Sequence, residues 1–238
     1  MNVDNDSLGF ADFPVFLKES NIIKEWLQSL TFEEAKELWG CNEKLATLNY
    51  ERLQNMNLTK RLTPAILSYE GIQYQYMAPA VFEDKMYSYV QNHLRILSGF
   101  YGVLKPMDGV VPYRLEMQAK TDINGVKGLY DFWGSKLYEE VMDDTHTIIN
   151  LASKEYSKCV EKYLMPGDRY ITCVFGEMSK GKVVQKGTYA KMARGEMVRF
   201  MAENNITVPE DMKRFDRLGY KYNNERSTDT EYVFVKEK

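Results

Sequence analysis

The sequence is poor in the residues that most often carry metal or redox chemistry. It has three cysteines, Cys41, Cys159 and Cys173, and two histidines, His93 and His146, in 238 residues. An odd number of widely spaced cysteines excludes a disulfide framework and points to a reducing compartment, so the expected setting is the cytoplasm. There is no CxxC, HxxxH or ExxH pairing, so no metal site and no iron store are expected. No Walker loop, nucleophile elbow or dinucleotide fingerprint occurs, and no cofactor is expected. No apolar run approaches the roughly 20 residues that span a bilayer. The N-terminal stretch MNVDNDSLGFADF is acidic and lacks the order of a signal peptide. No repeat, low-complexity tract or linker breaks the chain, and nothing in it calls for an obligate protein partner.

What is present suits an ordinary globule. Hydrophobic residues make up 44% and charged residues 27%, enough for a sizeable core. Seventeen tyrosines stand out, a residue that buries a ring while its hydroxyl finds a polar partner. The net charge is −3, which argues against binding nucleic acid through overall charge. The distribution is uneven. Residues 1–60 hold ten acids and six bases, whereas 180–199 hold Lys180, Lys182, Lys186, Lys191, Arg194 and Arg199 against Glu196 alone. Two readings stand for that run: a solvated face, or a basic patch that meets phosphate on an otherwise acidic protein.

Periodicity predicts one α+β domain over 1–238. A helix starts near Asp12-Phe13-Pro14 and runs to Leu30, and Thr31-Phe32-Glu33-Glu34 has the form of a capping box. That second helix should stop near Gly40, and a third carries Leu45, Leu48 and Leu53. The run Ala65–Tyr69 reads as a strand. Met86, Val90, His93, Leu94 and Leu97 predict a helix over about 83–98, with His93 on its apolar face. Strands are predicted at 148–153, 170–175 and 231–236, the last with a hairpin partner at 217–222, and a helix at 154–164. Tyr189, Ala193, Met197, Phe200 and Met201 form one helical stripe expected to face the core, leaving Lys191 and Arg194 for solvent or a ligand.

Two stretches carry candidate chemistry. In Ser98-Gly99-Phe100-Tyr101-Gly102 the glycines permit positive φ and close approach, so the turn is either a plain helix terminator or a set of amides that hold phosphate. In Val111–Met117, Arg114 and Glu116 form a structural pair, or else line a cleft in which Arg114 binds an anion. Tyr113, Asn150, Ser153, Glu155 and Tyr156 are the further cleft candidates.

These segments also carry a resemblance. His93–Met117, reading HLRILSGFYGVLKPMDGVVPYRLEM, resembles the distinctive segment of the YaaA family of peroxide-stress proteins. LYDFWG at 129–134, INLASKEY at 149–156, YAKMARGEMVRF at 189–200 and EYVFVK at 231–236 match in order. The resemblance implies an α+β fold with a mixed sheet, surrounding helices, a positively charged cleft and a helix–hairpin–helix element. It implies binding of duplex, bulged or branched DNA without strong sequence preference, in a protein that limits iron-driven oxidative damage. By position, Gly99, Tyr101, Gly102 and Lys105 would fall in or beside the hairpin, and Arg114, Lys191, Arg194 and Arg199 would supply positive charge. The competing expectation is a glycosylase- or lyase-like enzyme working around Arg114 and Glu116. The family's N-terminal strand ending in Ser-Pro-Ala-Lys has no counterpart in a sequence opening Met1-Asn2-Val3-Asp4, and restoring it is expected to raise stability.

Overall fold

The computed structural model describes residues 1–4 and 8–237. Helices α1 (Leu17–Ser29), α2 (Phe32–Trp39) and α3 (Glu43–Gln54) come first. The short strand β1 (Thr63–Pro64) leads into a single helical turn, α4 (Ala65–Ser68), followed by α5 (Ile72–Met77) and α6 (Asp84–His93). Strands β2 (Ile96–Ser98), β3 (Gly102–Leu104), β4 (Gly109–Val110), β5 (Asp122–Ile123) and β6 (Val126–Lys127) are all short. Then follow α7 (Leu129–Trp133), α8 (Lys136–Val141), β7 (Thr147–Asn150) and α9 (Lys154–Glu161). The chain ends with β8 (Arg169–Ser179), β9 (Lys182–Val184), α10 (Gly187–Glu203), β10 (Tyr220–Tyr222) and β11 (Glu231–Lys236). Among the described residues no helix is long and apolar enough to cross a membrane.

These elements form a mixed α/β structure with two compact units, each assembled from three separate stretches of chain. The first unit holds 1–68, 95–141 and 152–164. Its strands pair in twos, β1 with β4, β2 with β3 and β5 with β6, all antiparallel. Trp133, Phe100, Tyr101, Leu104 and Leu137 are buried there. Its N-terminal helices follow the predicted signals. Glu34 N–H donates to the Thr31 hydroxyl, and Glu34 Oε2 accepts from Thr31 N–H at 2.8 Å. The helix ends at Gly40 in the left-handed conformation, which glycine adopts without steric cost.

The second unit holds 69–94, 142–151 and 165–238. Its sheet runs β10-β11-β8-β7, with β9 pairing the far end of β8. β11 and β7 are parallel to β8, while β10 and β9 pair antiparallel, which makes the sheet mixed. Ile171, Cys173 and Phe175 alternate along β8 and pack with Ala193, Met197 and Phe200 of α10. Phe215, Tyr220, Tyr232 and Phe234 complete this core.

Three sequence expectations fail here. Residues 65–68 make a helical turn where a strand was expected. The helix predicted to 98 stops at His93, whose side chain is exposed against Tyr89 and does not lie in the core. The segment expected to form a helix–hairpin–helix is the β2–β3 hairpin, with Ser98 paired to Gly102.

Candidate functional site

The glycine turn between β2 and β3 lies inside the protein. Phe100 and Tyr101 are 0% and 1% exposed. Their amides both donate to Ser98 Oγ, at 3.1 and 2.8 Å, and Ser98 Oγ shares a 2.6 Å hydrogen bond with the Tyr113 hydroxyl. Gly99 offers its carbonyl to Trp133 Nε1–H at 3.0 Å. The Tyr101 hydroxyl accepts from Val111 N–H at 3.1 Å, and burial drives its pKa upward. The glycines therefore serve packing: a Cβ on Gly99 would lie 2.8 Å from the Leu115 carbonyl oxygen, and one on Gly102 2.9 Å from Leu137 and Trp133. With the Phe100 and Tyr101 amides bonded to Ser98 Oγ and the turn buried, those two donors are not open to a phosphate. Lys105, just beyond it, is exposed.

The 113–118 strip gathers most of the cleft candidates. Arg114 Nη2 donates to Trp39 O at 3.3 Å and to Glu116 Oε1 at 3.1 Å, while its Nε has no partner among the described residues. Glu155, in the first turn of α9, accepts from Gln118 N–H at 3.3 Å. The Tyr156 hydroxyl bonds the Met117 backbone, and burial followed by the nearby Glu155 and Glu116 charges pushes its pKa well up. Ser153 caps α9 without a side-chain hydrogen bond to the helix. Tyr113, Arg114, Glu116, Ser153, Glu155 and Tyr156 thus all belong to the first unit, and the strip is clasped to α9. Asn150 belongs to the second unit, at the end of β7, where its Nδ2 donates to Thr172 Oγ1 at 3.3 Å.

The basic run of 180–199 divides into three kinds of cation. Lys180 and Lys182 sit on the β8–β9 turn and Lys191 on α10; all three are exposed and form no ion pair among the described residues. Arg199 is neutralised, its Nε bonding Glu203 Oε1 at 2.8 Å within a network that includes Arg217 and Glu196. Arg194 is half-buried near Cys173. Desolvation holds its pKa below the ordinary guanidinium value, and its Nε lacks a partner among the described residues. Lys186 pairs with Glu177 at 2.7 Å, which keeps that carboxyl below its usual range.

The sequence reading missed Tyr189 as a surface residue. It was assigned to the core stripe, yet it is 40% exposed, with Lys186 Nζ 5.6 Å and Lys236 Nζ 4.9 Å from its ring centre. Lys236 arrives through strand pairing, a relation that local periodicity cannot show. The two buried thiols offer little nucleophilic character. Burial pushes Cys159 and Cys173 up to about 12, so both remain protonated at neutral pH. Among the described residues no group of three His, Cys, Asp or Glu side chains is placed to hold a metal ion.

Comparison with known proteins bears on the chain as a whole. A family model described as "Peroxide stress protein YaaA" matches residues 1–226. A "UPF0246 protein" of Agathobacter rectalis is 59% identical over 234 residues, 98% of this chain and 94% of the relative. Another, of Lachnoclostridium phytofermentans, is 57% identical over 231 residues, 97% and 91% of the two chains. One from Pediococcus pentosaceus is 52% identical over 236 residues, 99% and 94%. With the match running through both units, the chain belongs to the YaaA family of peroxide stress proteins.

Proposed function

We propose that this protein serves peroxide stress by binding the sugar-phosphate backbone of DNA through the cationic surface of its second unit. The observation that carries the reading is the trio Lys180, Lys182 and Lys191, exposed and without ion pairs among the described residues, on a chain whose net charge is −3. An acidic protein that keeps three cations unneutralised on one β-turn and one helix has local positive potential where its overall charge gives none. Lysine on a flexible stem contacts phosphate oxygens without reading base edges, so binding is sequence-tolerant. This places the interface on the basic run and not on the buried glycine turn. It also accounts for peroxide protection by coverage of DNA, with no thiol or metal chemistry required of the chain.

The enzyme reading has weaker support. Arg114 is tied to the Trp39 carbonyl and to Glu116, the geometry of a structural pair, and the Tyr156 hydroxyl is shifted away from any pKa suited to proton transfer near neutrality.

Affinity for a labelled duplex, measured from low to moderate salt, tests the proposal. Each phosphate neutralised contributes roughly −0.9 to the slope of log affinity against log salt. Replacing Lys180, Lys182 and Lys191 together by alanine should flatten that slope by up to about 2.7. An unchanged slope in the folded triple variant counts against this surface.

A further inference from the structure

The mixed sheet brings a second feature to the same surface. Its register sets Tyr220 of β10 opposite Lys236 of β11, Lys236 opposite Glu177 of β8, and Glu177 opposite Val184 of β9. Tyr189, in the first turn of α10, joins this row through Lys236 and Lys186. Lys236 Nζ also lies 6.0 Å from the ring centre of Tyr220, which is 2% exposed, so this lysine borders both a buried ring and the more open Tyr189. Lys180 and Lys182 stand on the adjoining turn. Glu177 is the acid paired with this group, so the patch keeps an excess of positive charge around an exposed ring.

We propose that Tyr189 is a stacking platform for one unpaired nucleobase, with Lys186 and Lys236 positioned to take the flanking phosphates. The inference rests on the backbone-binding reading and adds to it a preference for DNA that contains an unpaired nucleotide. A tyrosine ring has a negative face, which favours the Lys236 ammonium 4.9 Å from its centre, while Lys186 is held beside the ring chiefly by its 2.7 Å pair with Glu177. Phosphate oxygens are stronger partners for an ammonium than a ring face is, so an arriving strand draws the lysines outward and leaves the ring to a base. A base needs only a π-face to stack, which makes the contact indifferent to sequence. Duplex DNA keeps its bases stacked on each other and offers none; a bulge, a nick or a single strand does. Lysine gives the attraction and the ring gives the discrimination, so the two contributions separate experimentally.

The experiment compares three fluorescein-labelled probes: a 20-base-pair duplex, the same duplex with one unpaired thymidine, and an oligothymidine strand. The parent should bind the bulged and single-stranded probes more tightly than the duplex. Tyr189→Ala should lose about tenfold on those two probes, with duplex affinity and salt slope unchanged. Tyr189→Phe, which keeps the ring, should behave as the parent. Tyr189→Trp should show quenched indole fluorescence on adding oligothymidine. Thermal melting of each variant confirms folding, and a ring this exposed can be removed without opening the core. A parent that binds all three probes alike, or a Tyr189→Ala protein that keeps the preference, overturns the platform while leaving salt-dependent duplex binding in place. A parent that binds none of the probes overturns both readings. Poly-L-glutamate bound as tightly as oligothymidine, with the same loss in Tyr189→Ala, marks a polyanion site without stacking and likewise overturns the platform.

Discussion

A methyl group added to Gly195 would place its carbon 2.1 Å from the Gln73 carbonyl oxygen and 2.9 Å from the Met77 amide nitrogen. Both are backbone atoms of the α5 region, so neither can swing aside. Gly195→Ala should therefore force α10 off α5 at a cost of about 2–3 kcal/mol, read as a melting point lower by roughly 5–10 °C. An unchanged melting point would show that the two helices are not in close contact. Gly102 answers to the same logic. Its φ of 72° and the crowding by Leu137, Trp133 and Phe16 mean that valine there would disrupt the first unit, so this substitution reports on folding and not on DNA. Asp108 is a different case. It is 4% exposed, and burial raises its carboxyl to about 6, aided by Asp12 and opposed by the Lys105 amide and the charges of Lys105 and Arg95. A folded pKa above the unfolded value of 3.8 means that the folded state binds the extra proton between those two pH values. The ionised form is the penalised one, so the contribution of Asp108 to stability is greatest below about pH 4 and is lost as pH rises through 6. Asp108→Asn keeps an acceptor for the Lys105 amide and removes the penalty. It should stabilise by about 1–2 kcal/mol at pH 7.5, after allowance for solvent screening, and the gain should vanish at pH 4. A gain equal at both pH values would exclude the ionisation of Asp108 as its source.

At the scale of elements, the sequence was most legible where a local signal had no competitor. The Thr31–Glu34 capping box and the Gly40 stop form as expected because each is satisfied within one helix. Thr31→Ala removes the acceptor for Glu34 N–H and should cost about 1 kcal/mol, seen as a small fall in thermal midpoint; no change would mean that water replaces the cap. The helix predicted to 98 failed because the residues past His93 satisfy two periods at once. Leu94 and Leu97 continue the helical spacing of Met86 and Val90, while Ile96 and Ser98, both buried, alternate across Leu97 as β2. Pairing with β3 decides between the two, and pairing is a tertiary fact. The run from Ala65 to Ser68 is short and apolar, a pattern shared by a buried strand and a helical turn, and β1 pairs β4 only through Thr63 and Pro64. The basic run was visible because its cations are close in sequence, but which of them stay free was not. Arg199 is paired with Glu203, and Arg194 sinks beside Cys173, through contacts that composition cannot register. Tyr189 was misassigned because it shares the helical stripe of Ala193 and Met197, while the end of α10 that bears it reaches past the packed core.

For the whole molecule, charge distribution matters more than net charge. Acids outnumber bases in the first sixty residues, while in the second unit Lys180, Lys182 and Lys191 stand exposed without ion pairs among the described residues. Family membership places the protein in peroxide stress, and the DNA contact proposed for it rests on the exposed lysines of the basic run. The most direct measurement is the salt dependence of duplex binding for the parent beside the Lys180, Lys182 and Lys191 triple alanine variant, both shown to be folded. The account predicts a steep negative slope for the parent that flattens by up to about 2.7 in the variant, whatever the duplex sequence. A parent whose affinity does not change with salt, or a variant with the parent's slope, would contradict it.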